Sequence, residues 1–370
     1  MENKKYYNNF IYDWWKNIDK VILFLFITLI ILGIFFSLVS TSLIASSKFG
    51  TNNYYFFLRH IIYISLGLIL IIFFSVIDEK KIYIIATLFF FIFFISLLLV
   101  PIFGSEIKGS RRWLDLPFLP RFQPIEFLKP FLIIFLSLII GSRFTSNNYI
   151  NFFLSALIVL PILILLVLQP DIGQTLLISS VWLSLIFVSG INLYFLNFLI
   201  FFSLSILSYL IFYIPKFSYI KFRISNFFDF TSKGNYQSQK ATDAIVDGGF
   251  FGKGIGEGIL NARVPEAHTD YVISVISEEF GILLILFILM IFLILLFKVF
   301  KKIPNEKKNS NKLILIGSIL LIIFQVLIHV GVNIRLLPTT GMTLPFLSYG
   351  GSSLLSCSIL AGLILNFTKR

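Results

Sequence analysis

Residues 82–103 read Ile-Tyr-Ile-Ile-Ala-Thr-Leu-Phe-Phe-Phe-Ile-Phe-Phe-Ile-Ser-Leu-Leu-Leu-Val-Pro-Ile-Phe, with no charged residue anywhere in the run. A helix of that length reaches about 33 Å, enough to cross the ~30 Å hydrocarbon core of a bilayer. Working outward, the same criterion marks ten spans near Val21–Ile44, His60–Val76, Ile82–Phe103, Phe127–Ile140, Ile150–Leu168, Ile172–Val188, Ile191–Ile214, Tyr271–Val299, Leu313–Val330 and Leu344–Phe367. The fourth is short and carries Lys129 and Pro130. Only Gln169–Pro170–Asp171 separates the fifth from the sixth, which predicts a tight hairpin. The tenth starts in a Gly- and Ser-rich stretch and is expected to be partly unwound there.

The composition agrees with an all-α polytopic membrane protein. The 370 residues are 58% hydrophobic, 17% aromatic and 13% charged, with mean hydropathy +0.94. Soluble chains carry about 25% charged residues, so a soluble enzyme, a disordered chain and a secreted disulfide scaffold are all excluded. Cys357 is alone and rules out an internal disulfide or a cysteine-based metal site. The polar, aromatic residues 1–20 read as a cytoplasmic tail rather than a cleaved signal, and the chain as one membrane domain, 1–370, with one large periplasmic loop, 215–270.

Yet the chain is +12 at pH 7, with 30 Lys+Arg. An N-in, C-in arrangement puts fifteen of the thirty on inner loops, anchored by the cluster Lys298–Lys312. The other fifteen face outward, mainly on Gly104–Glu126 (Lys108, Arg111, Arg112, Arg121) and Pro215–Asp270 (Lys216, Lys221, Arg223, Lys233, Lys240, Lys253, Arg263). Anionic lipid headgroups are one partner for such charges. A phosphorylated substrate at the outer surface is the other, because Arg grips phosphate bidentately.

Four constellations stand on those loops. Gly109–Trp113 precedes Gln123–Pro124–Ile125–Glu126–Phe127–Leu128–Lys129–Pro130, where Pro124 suits a first helical position and Glu126 and Lys129 share a face. In Gln169–Gly173, Asp171 is placed to cap the following helix. The stretch Tyr236–Ala241 leads to the glycine run Gly248–Gly258 and then to Pro265–Glu266–Ala267–His268–Thr269–Asp270–Tyr271. No strand precedes the glycines, so a nucleotide loop is rejected in favour of tight turns and close backbone approach to a ligand or the bilayer surface. Beyond lie Glu278 and Glu279; a continuous helix would set Asp270 and Glu278 roughly 12 Å apart, so they cannot act on one small reacting group. Last, Arg335–Phe346 and Ser348–Ser353 mark irregular backbone at membrane depth, tolerated only inside protein or along a wet cavity.

In this order and spacing the constellations closely resemble the SEDS family (shape, elongation, division and sporulation), over nearly the whole chain. Trp14–Trp15, Glu106–Gly109, Gly256–Gly258 and Gly341–Pro345 are more similar to its division branch than to its elongation branch. The resemblance implies a peptidoglycan glycosyltransferase of the bacterial cytoplasmic membrane that polymerises lipid II at the septum. It implies that Asp270 is catalytic and that Glu126 and Lys129 line the site. Further candidate substrate contacts on the matching segments are Arg111, Arg112, Trp113, Gln123, Gln237, Lys240, Glu266, His268, Thr269, Ser348 and Ser352. Ile125 stands where the family usually has Ser, and Tyr271 where Phe is usual. The expected ligands are lipid II, polyprenyl-pyrophosphate-linked glycan and membrane lipid; no nucleic acid and no protein-held metal are expected, with Mg2+ or Mn2+ as the cation that would accompany the pyrophosphate. A class B penicillin-binding protein and other division proteins are the expected partners. The competing expectations are a transporter that flips the lipid-linked precursor, prompted by Glu278 and Glu279, and a scaffold that only recruits a synthase.

Overall fold

The computed structural model describes residues 12–40, 54–107, 110–115, 120–141, 148–228, 236–260 and 264–369. Lys108, Gly109, Lys233 and Arg263 lie outside them. In chain order the helices are α1 (Lys20–Ser40), α2 (Tyr55–Val76) and α3 (Glu79–Phe103), followed by a hairpin of β1 (Ser105–Ile107) and β2 (Ser110–Trp113). Then come α4 (Pro124–Gly141), α5 (Asn148–Leu168), α6 (Ile172–Val188) and α7 (Leu193–Tyr213). Helices α8 (Ser218–Phe228) and α9 (Tyr236–Gly248) form the large loop. The chain ends with α10 (Val272–Phe280), α11 (Ile282–Lys302), α12 (Asn309–Asn333) and α13 (Gly351–Phe367).

Among the described residues, seven helices are long and apolar enough to span a membrane, and three shorter apolar ones fall at Ile172–Val188, Leu193–Ser203 and Gly351–Phe367. Together they account for all ten expected segments. The bundle reverses soluble patterning: Leu58, Ile62, Ile69 and Phe73 make an exposed apolar stripe on α2 at helical spacing. Lipid rather than water must cover it. The centre is α4, α12 and α13. In the most apolar stretches of α4 and α12, 72% of residues are buried, against 22% in α2 and α3. The short, lysine-bearing α4 is therefore an interior helix.

Polar ties fix which ends lie together. At one end Lys302 pairs with Asp19 at 2.7 Å, Lys308 with Glu79 at 2.9 Å, and Asn366 donates to the carbonyls of Phe74 and Ile77 at 2.7 Å. At the opposite end Arg112 meets the 169–171 hairpin, Arg223 meets Thr339, and Asn333 meets Asp270. The second end gathers all four constellations.

The eighth segment departs from expectation. It is two helices, broken at Gly281 with φ 83°. A break at membrane depth strands backbone donors and acceptors, each of which must find a partner. The glycine run supplies them: Lys253 and Gly254 donate to the carbonyls of Glu278 and Glu279 at 2.9 and 3.0 Å, and Ile282 donates to Gly249 at 3.0 Å. A Cβ on Gly281 would lie 2.2 Å from the Phe250 carbonyl oxygen, and one on Gly252 2.2 Å from that of Glu279. The close approach expected of the glycines is thus to their own chain. Gly281→Ala combines that clash with left-handed strain and is expected to destabilise the protein by about 3 kcal/mol, seen as a lowered thermal unfolding midpoint in detergent. The tenth segment is helical only from Gly351. Before it, residues 338–350 are irregular, with Thr340, Met342 and 344–348 buried and Gly341 exposed.

Candidate functional site

Pro124 opens α4 at the outer mouth and Asp171 caps α6, and the two first turns pair in register. Gln123 Nε2 donates to Asp171 Oδ2 at 2.8 Å, and Gln174 Nε2 to Glu126 Oε1 at 2.5 Å. Glu126 Oε2 is 2.7 Å from Lys129 Nζ, and Lys129 is only 1% exposed. Lys129 continues to Gln325 Oε1 at 3.4 Å. Gln325 in turn donates to the Thr343 carbonyl at 3.0 Å and to Ser353 Oγ at 3.2 Å. A polar chain therefore runs from the outer mouth into the apolar bundle, joining α4, α6, α12, the 338–350 segment and α13. An ion pair this deep needs such a chain, because charges stripped of water are costly unless paired and hydrogen-bonded.

Above it, Asp270 closes a turn that begins at Glu266, where φ is 57°. The Asp270 N–H donates to the Glu266 carbonyl at 3.1 Å, while its own carbonyl accepts from Asn333 Nδ2 at 3.1 Å. The half-buried carboxylate lies against Gly341, where an added Cβ would come 3.4 Å from Oδ2. Gly341 itself has φ 73°, and its neighbour Met342 is held by His329 Nδ1 at 2.7 Å from the carbonyl oxygen. Backbone on both sides thus aims one carboxylate at the outer mouth.

A cavity of about 240 Å³ opens beside this point, walled by α8 and the segment after α12. Arg223 reaches it from α8 and donates to the Thr339 carbonyl at 3.2 Å. Burial, followed by the neighbouring Arg112 charge, pushes Arg223 below its ordinary range, although a guanidinium stays protonated. Arg335 enters from the other wall with φ 58°, a left-handed conformation that costs a non-glycine residue on the order of 1 kcal/mol.

Arg111 and Arg112, both expected at the substrate, turn to different faces. Successive strand residues point to opposite faces, so on β2 Arg111 is exposed and reaches Glu106 at 3.4 Å. Arg112 turns inward, 3.7 Å from Asp171, and donates to the carbonyls of Gln169 and Pro170. Burial pushes the Asp171 carboxyl up and the Arg112 charge pulls it back. Arg112→Ala leaves a buried carboxylate uncompensated and should cost about 3 kcal/mol. Protonating Asp171 would remove that orphaned charge, so the deficit should shrink as pH is lowered; Arg111→Ala should stay within about 0.5 kcal/mol. Thermal unfolding of both variants across pH checks the contrast.

Other expected contacts spread out. Trp113 is half-buried in the hairpin, its carbonyl accepting from Ser105 at 3.4 Å. Gln237 and Lys240 sit on α9, with Lys240 3.1 Å from Asp243. Thr269 Oγ1 donates to Glu266 within the same turn as Asp270 at 3.3 Å. His268 packs 5.6 Å from the Phe56 ring, and its carbonyl accepts from the Tyr349 N–H at 3.0 Å, tying that turn to α2 and the approach to α13. Ser348 is buried and its hydroxyl accepts from the Leu344 N–H at 2.8 Å, closing its own turn. Ser352 is half-buried in the first turn of α13. The Glu278 carboxylate takes the Leu260 N–H at 2.7 Å, which gives it the duty of holding the loop. Among the described residues no three His, Cys, Asp or Glu side chains group as metal ligands.

A family model described as cell cycle protein, for FtsW, RodA and SpoVE, matches residues 19–370. The chain belongs to the FtsW–RodA–SpoVE family. This member is 32% identical over 347 residues to the probable peptidoglycan glycosyltransferase FtsW of Hydrogenovibrio crunogenus, covering 91% of this chain and 88% of that protein. It is also 32% identical over 362 residues to the same-named protein of Coxiella burnetii, covering 94% and 95%. Its fold is similar to a chain from a structure on how a peptidoglycan synthase complex coordinates polymerization and crosslinking, with TM-score 0.77, 27% identity and coverage of 95% and 97%. Against the rod shape determining protein RodA of Thermus thermophilus the TM-score is 0.68, with 27% identity and coverage of 95% and 96%. Family membership and fold both make it a multi-pass membrane protein.

Proposed function

We propose that the chain is a peptidoglycan glycosyltransferase of the division type, polymerising lipid II at the outer face of the bacterial cytoplasmic membrane at the septum. What carries the reading is one backbone-aimed carboxylate, Asp270, beside an arginine-walled cavity at the end of the bundle opposite Lys302–Lys312. The positive-inside rule puts that lysine-rich end in the cytoplasm.

The chemistry follows from this placement. Asp270 accepts the proton of the acceptor's 4-hydroxyl as its oxygen attacks the anomeric carbon of the donor glycan. The bond from that carbon to the polyprenyl diphosphate breaks, its electrons leave on the diphosphate, and the configuration inverts. Arginines at the outer mouth stabilise the charge as it develops on the leaving group. A divalent cation would arrive with the diphosphate. The polyprenyl tails lie along the exposed phenylalanine-rich helices, and a class B penicillin-binding protein takes up the nascent strand.

The test is reconstitution of the full chain with a class B penicillin-binding protein and lipid II. Glycan strands are the expected product. Precursor translocation without polymer would favour a flippase, although Glu278, one motive for that alternative, is occupied by Leu260. Neither activity would leave a scaffold, and rescue of elongation rather than division in cells would move the chain to the RodA-type role.

A further inference from the structure

We infer that the cavity between Arg223 and Arg335 is a diphosphate subsite; this rests on the glycosyltransferase reading and names where that reaction's leaving group is held. Arg112 is one of the two adjacent arginines expected at the substrate. Its guanidinium is already engaged by Asp171 and by the carbonyls of Gln169 and Pro170. Asp171 balances the Arg112 charge, which directs the search for an anion site to the other arginines at the same end of the bundle.

The cavity supplies it. Its lining brings two guanidiniums from two different elements, Arg223 on α8 and Arg335 after α12, and among the described residues contains no carboxylate. Asn226 and Ser238 add polar groups, and Tyr219 and Phe227 add aromatic walls. Two separated cations suit two phosphoryl groups better than one, since each can grip its own phosphate through a planar fork. The cavity volume is about 240 Å³. A diphosphate with its first sugar contacts fits, and a whole lipid-linked disaccharide peptide does not.

Position and strain point the same way. Arg223 bonds the Thr339 carbonyl, and at most about 7 Å of chain separates Thr339 from Gly341, against which the Asp270 carboxylate rests. The subsite therefore opens within reach of the proposed base. Arg335 holds a backbone conformation that glycine would adopt freely. A long cation kept at such a position, aimed at a cavity with a second cation, is strain retained at a ligand clamp.

The test uses the full chain in phosphatidylcholine nanodiscs, with inorganic pyrophosphate titrated by calorimetry. Wild type should bind saturably, with affinity falling as salt rises. Arg335→Gly and Arg223→Gln should each weaken binding at least tenfold. Arg335→Gly relieves the strained backbone, so its melting temperature should be no lower than wild type, which separates lost binding from lost folding. Arg121→Ala, at an exposed residue paired with Asp115, should bind like wild type. Glycerol phosphate, standing in for a phospholipid headgroup, should bind at least tenfold more weakly than pyrophosphate. Unchanged pyrophosphate affinity in both arginine variants overturns the subsite, and equal binding of glycerol phosphate overturns its diphosphate character in favour of a lipid headgroup. Neither result touches the polymerase reading. Conversely, polymerisation by Asp270→Asn with wild-type pyrophosphate binding would overturn the catalytic assignment and leave the subsite standing.

Discussion

Asp270→Asn should lower the rate of glycan strand formation from lipid II by about 10²- to 10⁴-fold, the range that a positioned general base contributes. The substitution keeps the side chain's shape and removes only its capacity to accept a proton in the reaction. Folding should be little affected, because the substitution keeps the residue's backbone bonds, its N–H to Glu266 and its carbonyl to Asn333. The Asn333 contact gives a second arm to the experiment. Asn333→Ala removes the donor that fixes the turn while leaving the carboxylate, so it should reduce activity less, through positioning, and should be detectable as well in a lowered unfolding midpoint. The assay is polymer length and yield at saturating lipid II with a class B penicillin-binding protein present. Full polymerisation by Asp270→Asn would sink the assignment. Equal, large losses in Asp270→Asn and in a substitution of Glu266 would shift attention from the carboxylate to the integrity of the turn.

The spans were legible in the sequence because hydrocarbon thickness imposes a length and a hydropathy that single segments carry by themselves. Even the tight hairpin and the Asp171 cap could be read, since both are local: Asp171 accepts from the Gln174 N–H at 3.4 Å. Asp270, Glu126 and Lys129 came through a resemblance of motifs, and no periodicity singled them out. Three kinds of feature were not legible. The break at Gly281 is masked because the helices on either side are both apolar, and hydropathy does not register a change of backbone direction. The opposite fates of Arg111 and Arg112 depend on a two-residue alternation in a four-residue strand, too short to leave a pattern. The pairing of Gln123 with Asp171 and of Glu126 with Gln174 joins residues 48 apart, and Lys129 meets Gln325 across 196. Such contacts are decided by how helices pack, although an isolated Gln325 amid Ile and Leu was a visible clue, since polar groups at membrane depth are rarely idle. Arg335 carried no clue at all: its left-handed backbone appears only in three dimensions.

Lys129→Met should destabilise the protein by about 3–5 kcal/mol, the cost of leaving a buried carboxylate without its partner. Both members of the pair are almost fully buried, with side-chain exposures of 0% and 6%, so water cannot take over the lost interaction. Gln174 would still donate to Glu126 Oε1, but among the described residues the partner of Oε2 is Lys129. The double variant Lys129→Met, Glu126→Gln removes both charges while keeping an amide that can still meet Gln174, and should recover more than half of the loss. Comparing the two single variants with the double one in a thermodynamic cycle isolates the coupling, which should exceed 1 kcal/mol for groups in direct contact. The pattern discriminates between two roles for the pair. If the ion pair serves only to hold α4 within the bundle, the double variant should regain activity along with stability. If Lys129 instead carries charge that the reaction needs, through the chain to Gln325 and the segment beneath Asp270, the double variant should fold and remain inactive. The second outcome is the expected one, because replacing a buried pair by neutral groups is often neutral or stabilising, and an ion pair kept at this depth without a stability gain is held there by what it does.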